Sequence, residues 1–119
     1  MIMREWRGRT KSSRAAGYLS AFRETVAPAL RRQRGFRGAV LARRQVDDEV
    51  EFVVLTRWES LWSLRRFTGP DIERAVVHEE TVADLVEFDM RARHYEVVHE
   101  VVSGGADVDA GDCPSAQLP

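Results

Sequence analysis

His94 and Glu96 stand two residues apart in "RARHYEVVHEVV", residues 91–102. On an extended strand that spacing places both side chains on one face. An imidazole titrates near neutrality and takes a proton from a phenol or an acidic carbon without a cofactor. A carboxylate on the same face orients such a ring or holds its protonated form. The competing reading is a strand histidine bonded to its neighbour, with Glu96 paired to one of the many arginines. His78, in "AVVHEE", falls on a loop near the mouth of a pocket. Loops carry function more often than their share, although a solvent-facing histidine is the commoner outcome. Three scattered histidines lack metal-ligand spacing, so no metal is expected; only His78 folded over His94 and Glu96 would make a ligand set.

Aromatic walls are the second requirement of such a site. Trp6 and Trp58 sit on strand-like sequence, and Phe52 shares the face of Trp58. Core packing is the default for these positions, and a pocket for a flat aromatic ligand would use the same residues. Arg4 shares the face of Trp6, where a buried guanidinium would steady an anionic oxygen or pair with an acidic residue.

The elements that must position these residues follow from periodicity. Residues 2–10 read as a strand. Ser12 or Ser13 caps a helix whose apolar stripe runs through Tyr18, Leu19, Phe22, Val26, Ala29 and Leu30. Pro28 predicts a kink or restart, because it lacks an amide hydrogen and crowds the preceding turn. Gly35 ends the helix. "FRGAVLARRQV" and "VEFVVLTRW" flank "DDE" as a hairpin, and the second strand is apolar on both faces. Glu59-Ser60 opens a short helix stopped by Gly69-Pro70. "DIERAVV" and "ETVADLVEF" read as short helical or irregular pieces before the strand of residues 91–102.

The order strand, helix, strand, strand, helix, strand predicts an α+β, ferredoxin-like βαββαβ domain over residues 1–102. Its four-stranded antiparallel sheet carries helices on one face. The other face needs a cover, and a second copy of the chain would close the two sheets into a dimeric α/β barrel. Tyr95 and Val97 suit the helix side, which leaves His94 and Glu96 for the cavity between sheets; a one-residue slip reverses this. Residues 103–119 hold too little apolar content to pack and are expected to be a disordered tail.

Composition narrows the classes. The 119 residues are 44% hydrophobic and 31% charged, ordinary for one globular domain. No apolar run approaches the roughly 18–20 residues that cross a bilayer, and the N-terminus lacks a signal-peptide pattern. The single Cys113 fits a reducing cytoplasm. Residues 1–44 carry 12 Lys/Arg against 2 Asp/Glu, and residues 45–119 carry 6 against 17. A basic half raises nucleic-acid binding, but opposite charges on one compact chain are better explained by pairing within the fold or across a dimer, so neither nucleic acid nor membrane is expected as a partner.

"REWRGRT", "VEFVVLTRWESL", "DIERAVV" and "HYEVV", in that order and spacing, resemble the antibiotic biosynthesis monooxygenase domain family of the dimeric α/β-barrel superfamily, over about residues 2–100. The resemblance implies an oxidoreductase of cofactor-independent type. A phenol or hydroquinone loses a proton, its anion passes one electron to O2, and the radicals recombine in a pocket that excludes water. Trp58, in "TRWES", matches the tryptophan these enzymes carry at the end of the third strand. The asparagine that polycyclic-phenol oxygenases and haem degraders use is missing, since the chain contains no Asn.

These readings converge on a homodimeric, cytoplasmic monooxygenase that needs no cofactor and acts with O2 on an aromatic or polyketide-like small molecule. His94, Glu96 and His78 are the catalytic candidates, with Trp58, Trp6, Phe52 and Arg4 binding substrate. The alternatives are a non-oxidative polyketide cyclase or isomerase on the same fold, and a protein that holds haem or a hydrophobic metabolite without turnover.

Overall fold

The computed structural model describes residues 1–104 and the backbone of residues 108–109. Strand β1 (Ile2–Lys11) runs into a turn of 3-10 helix at Ser12–Arg14, and α1 (Ala15–Ala21) follows. A π-helical turn at Phe22–Val26 leads to α2 (Ala27–Arg31). The hairpin β2 (Phe36–Val46) and β3 (Glu49–Trp58) precedes α3 (Leu61–Thr68), an irregular stretch and the single turn α4 (Glu79–Val82). Short strands β4 (Leu85–Phe88), β5 (Arg93–Glu96), β6 (His99–Glu100) and β7 (Val108–Asp109) complete the order.

The sheet runs β2-β3-β1-β4, with β5 also paired to β1. All pairings are antiparallel. This is the ferredoxin-like order, with a fourth strand split in two: β4 opposes Gly8–Thr10 and β5 opposes Ile2–Glu5. "LVEF" is therefore a strand and not a helical piece. Between the halves, the backbone at Met90–Ala92 leaves β1 and bonds the irregular stretch instead. Ala75 N donates to Met90 O, Ala92 N donates to Glu73 O, and Arg74 bridges Arg91. The split is what brings segment 71–78 across the end of the sheet.

Alternation sorts the two faces. Arg4, Trp6, Phe52, Val54, Thr56 and Trp58 share the face under the helices, as the pairings Arg4↔Thr56, Trp6↔Val54 and Ile2↔Trp58 require. Two apolar clusters fill that interface. One holds Ala15, Tyr18, Val50 and Phe52; the other holds Phe22, Leu30, Trp58 and Leu64.

The helical run follows its sequence with two adjustments. The wide turn before Pro28 lets Ala27 N reach Phe22 O, five residues back, which opens the coil where a proline ring would crowd the preceding carbonyls. Ser12 does not cap the helix; its hydroxyl donates to Asp48 O and ties the run to the hairpin turn. Ser60 does cap α3, in a reciprocal box with Ser63. Gly35 takes a φ of 84°, and a Cβ there would lie 2.4 Å from that of Ser63, so only glycine fits.

The charge asymmetry resolves in part inside the fold: Arg9 pairs with Glu49 and Glu51, Arg14 with Asp84, Arg37 with Glu59 and Arg44 with Glu51. On the sheet face away from the helices, Arg57 is buried against Glu100 of β6 at 2.8 Å. The expected disorder of residues 103–119 lies largely outside the described residues; within them, the backbone of β7 pairs with β6. No helix among the described residues is long and apolar enough to cross a membrane.

Candidate functional site

Between the helices and the sheet lies a cavity of about 60 Å³. Its floor is Arg4, Trp6, Val54 and Thr56 of β1 and β3. Tyr18, Phe22, Val26 and Leu30 from the helical run wall it, with Phe67 from α3. Val76, Val77, His78 and Thr81 form a roof. This cavity lies on the face opposite the one expected to meet a second copy of the chain, where the wide helical run and segment 71–78 leave a gap over the middle of β1.

Arg4 is the most connected residue there. It is only 4% exposed. Nη1 donates to Ile72 O and contacts His94 Nε2 at 2.8 Å, and Nη2 donates to Arg74 O at 2.7 Å. One guanidinium thus fastens β1 to both the roof segment and β5. Burial lowers its pKa to about 10, which still leaves it charged at neutral pH.

His94 opposes Arg4 in the register, so it lies on the helix face. Tyr95 takes the other face and donates its hydroxyl to Glu5 at 3.0 Å. The expected sidedness of this strand is therefore reversed. A guanidinium has donors and no acceptor, so His94 Nε2 accepts, and the ring is neutral with its proton on Nδ1. Its pKa lies below the usual 6.5, through burial first and the Arg4 charge second, with Glu73 opposing. His94 stands behind Arg4 and is not among the cavity-lining residues. Glu96 is exposed and opposes Ile2, away from the cavity.

His78 lies on a loop, as expected, immediately before α4. Its carbonyl accepts from Thr81 N and the Thr81 hydroxyl, at 2.9 and 2.8 Å, which fixes the backbone. Its ring lines the cavity, and Nε2 is buried with no hydrogen-bond partner. Buried polar nitrogens are nearly always satisfied, so this one, without a partner among the described residues, is available to bond a ligand or a water.

The aromatic candidates divide. Trp6 lines the cavity and donates from Nε1 to Asp89 O at 2.9 Å. Trp58 and Phe52 are fully buried and do not line it. Trp58 stacks on Phe67 at 4.8 Å and donates to Thr56 Oγ1, while Phe52 packs on Tyr18 at 4.6 Å. Both are core residues of the same sheet face, flanking the cavity floor of Val54 and Thr56 on β3.

Tyr18 is the site residue the sequence reading missed. It was counted in the apolar stripe, correctly for packing, since it is 3% exposed. Its phenol also lines the cavity, and burial pushes its pKa up to about 12. The signal was available: a tyrosine inside an otherwise aliphatic and phenylalanine stripe carries a hydroxyl that must go somewhere. Among the described residues no cluster of ligating side chains is arranged to hold a metal ion.

Residues 1–79 match the family model described as antibiotic biosynthesis monooxygenase. The chain belongs to that family. Among solved structures, this family member is similar to a candidate antibiotic biosynthesis monooxygenase from Bacillus cereus, with a TM-score of 0.53 and 18% identity over 79% of this chain and 89% of that one. At that identity the likeness concerns the fold. No curated protein sequence matches it. The family match ends near His78, so the site's floor, helical wall and roof up to that histidine lie inside it, whereas β4, β5 and His94 lie outside.

Proposed function

We propose that this protein is a cofactor-independent monooxygenase for a small aromatic phenol, with His78 as the general base. The observation that carries this reading is the buried, unpartnered Nε2 of His78 in a cavity walled by Trp6, Tyr18, Phe22 and Phe67. A free imidazole nitrogen in a largely apolar, aromatic-walled pocket is suited to taking a phenolic proton. His94 suits that task less, because its Nε2 lone pair is already engaged by Arg4.

The chemistry balances without an added reductant. The phenol gives its proton to His78 and the phenolate transfers an electron to O2. The radical pair combines at a ring carbon. Overall the substrate loses two hydrogens, one from that carbon and one from the phenolic hydroxyl, and gains one oxygen atom as a quinone, and the second oxygen atom leaves as water. Excluding bulk water protects the radical pair and strengthens the interactions of the charged groups.

Size restricts the substrate. An apolar cavity of roughly 150 Å³ takes one benzene, so the smaller cavity here admits a ring only if the roof at Val76–His78 gives way. A single ring demands the least movement, and haem or a polycyclic ligand the most. The reading includes a cytoplasmic homodimer joined through the outer sheet face, supported by the exposure of Val40 and Tyr95 there.

An oxygen electrode with a panel of hydroquinones and single-ring phenols tests the class. Substrate-dependent uptake without added metal, flavin or haem is expected, and equal turnover under strict anaerobiosis would replace the oxygenase by a cyclase or isomerase.

A further inference from the structure

Arg4 carries a charge that the described residues do not balance. Its ion pairs should be the easiest to find in a chain with 19 acidic residues, yet its partners are two backbone carbonyls and a neutral imidazole. Four exposed arginines nearby, Arg7, Arg9, Arg91 and Arg93, have carboxylate partners, and buried Arg57 has Glu100. Arg4 has none among the described residues. A desolvated cation without a counter-charge is unfavourable, and such groups are normally paired.

Its hydrogen bonding is incomplete as well. A guanidinium has five N–H donors. Nη1 spends both, on Ile72 O and His94 Nε2, and Nη2 spends one on Arg74 O. Among the described residues no partner is seen for the Nε–H or for one Nη2–H, on a residue that lines the cavity. His78 Nε2, on the roof of the same cavity, is unpartnered too. Two independent deficits therefore meet in one space: a cation lacking an anion, and polar atoms lacking partners. The rest of the lining is mostly apolar.

We propose that the cavity, once its roof at Val76–His78 gives way, binds a small single-ring aromatic monoanion, its charged oxygen taken by the remaining N–H groups of Arg4 and its ring held among Trp6, Tyr18, Phe22 and Phe67. The oxygen belongs to a phenolate or a carboxylate; both present the acceptor and the charge that Arg4 lacks. The remainder of Arg4 is spoken for by Ile72, Arg74 and His94, so its plane is fixed before the ligand arrives. A fixed donor pair selects a planar oxygen acceptor over a diffuse anion. The proposal names the ligand class of the site read above, and rests on that reading only for the reaction that follows binding.

The test is calorimetric titration of the full-length chain, under nitrogen, with benzoate and 4-nitrophenolate against their neutral counterparts benzamide and nitrobenzene. At least one anion is expected to bind about tenfold or more tighter than its neutral counterpart. Preference for benzoate alone assigns a carboxylate, preference for 4-nitrophenolate alone a phenolate, and both together the shared chemistry. Arg4→Met is expected to abolish the preference. Val77→Phe, which adds bulk to the cavity lining and leaves Arg4 in the chain, is expected to weaken both anions and serves if Arg4→Met does not fold. Neutral compounds binding as tightly as the anions, or anion binding that survives either variant, would overturn the proposal. Because no oxygen is present, its failure is separable from failure of the oxygenase reading, which turnover decides.

Discussion

The guanidinium Nη1 of Arg4 lies 2.8 Å from Nε2 of His94, so two basic side chains share one hydrogen bond inside the fold. That contact exists only while His94 is neutral. Protonation would remove the acceptor and set two cations against each other beside the roof of the cavity.

A pH dependence follows. The folded pKa of His94 lies below its ordinary value of 6.5, so between the two the unfolded chain binds more protons than the folded one. The stability contributed by neutral His94 is present above about pH 6.5 and is lost as pH falls toward the lowered folded value. His94→Gln keeps an acceptor for Arg4 and cannot titrate. Urea unfolding at pH 5 and pH 7.5 should show wild type losing more stability on acidification than the variant. Glu51, whose carboxyl is held low chiefly by Arg44, contributes acid sensitivity to both proteins and cancels in the comparison. Equal losses would remove the His94 contribution.

Phe52 supports the site from beside its floor, two residues before Val54 on the same face of β3. It is fully buried against Tyr18. Phe52→Ala should cost about 3–5 kcal/mol of unfolding free energy and free the Tyr18 ring. Loss of near-ultraviolet circular dichroism at a temperature where the fold persists would register that freedom. A change below about 1 kcal/mol would mean the layer is not packed as described.

The start of α3 offers a local check. Ser60→Ala removes the side chain that accepts from Ser63 N and should cost about 1 kcal/mol, read as a lower urea midpoint at unchanged slope. Gly35→Ala should cost more, since it combines a positive φ with a 2.4 Å approach to Ser63. The reverse order would contradict the packing of this corner.

Long, regular elements were legible in the sequence because their signals are local. The hairpin announced itself through β-branched runs around "DDE", α3 through Ser60 and Gly69, and the proline through the turn it distorts. The split fourth strand was not legible. "LVEF" alternates too briefly to declare itself, and its pairing with β1 depends on segment 73–75 drawing residues 90–92 away. The face of His94 was misjudged for a related reason. Polarity suggested that Tyr95 belonged under the helices, but the cavity there is partly polar, and Arg4 gives a buried histidine something to bond. His78 could be named from its type and loop position; that its Nε2 would be sealed in without a partner depends on Thr81 and on a roof no local pattern describes.

The division of labour between the two histidines is the account's central claim, and oxygen uptake by His78→Gln and His94→Gln beside wild type tests it most directly. With any phenol the wild type turns over, His78→Gln should fall by roughly 100-fold or more, as for loss of a general base, while His94→Gln should keep most of its rate at pH 7.5. A full rate in His78→Gln together with an inactive, folded His94→Gln would contradict the claim and return the base to the strand.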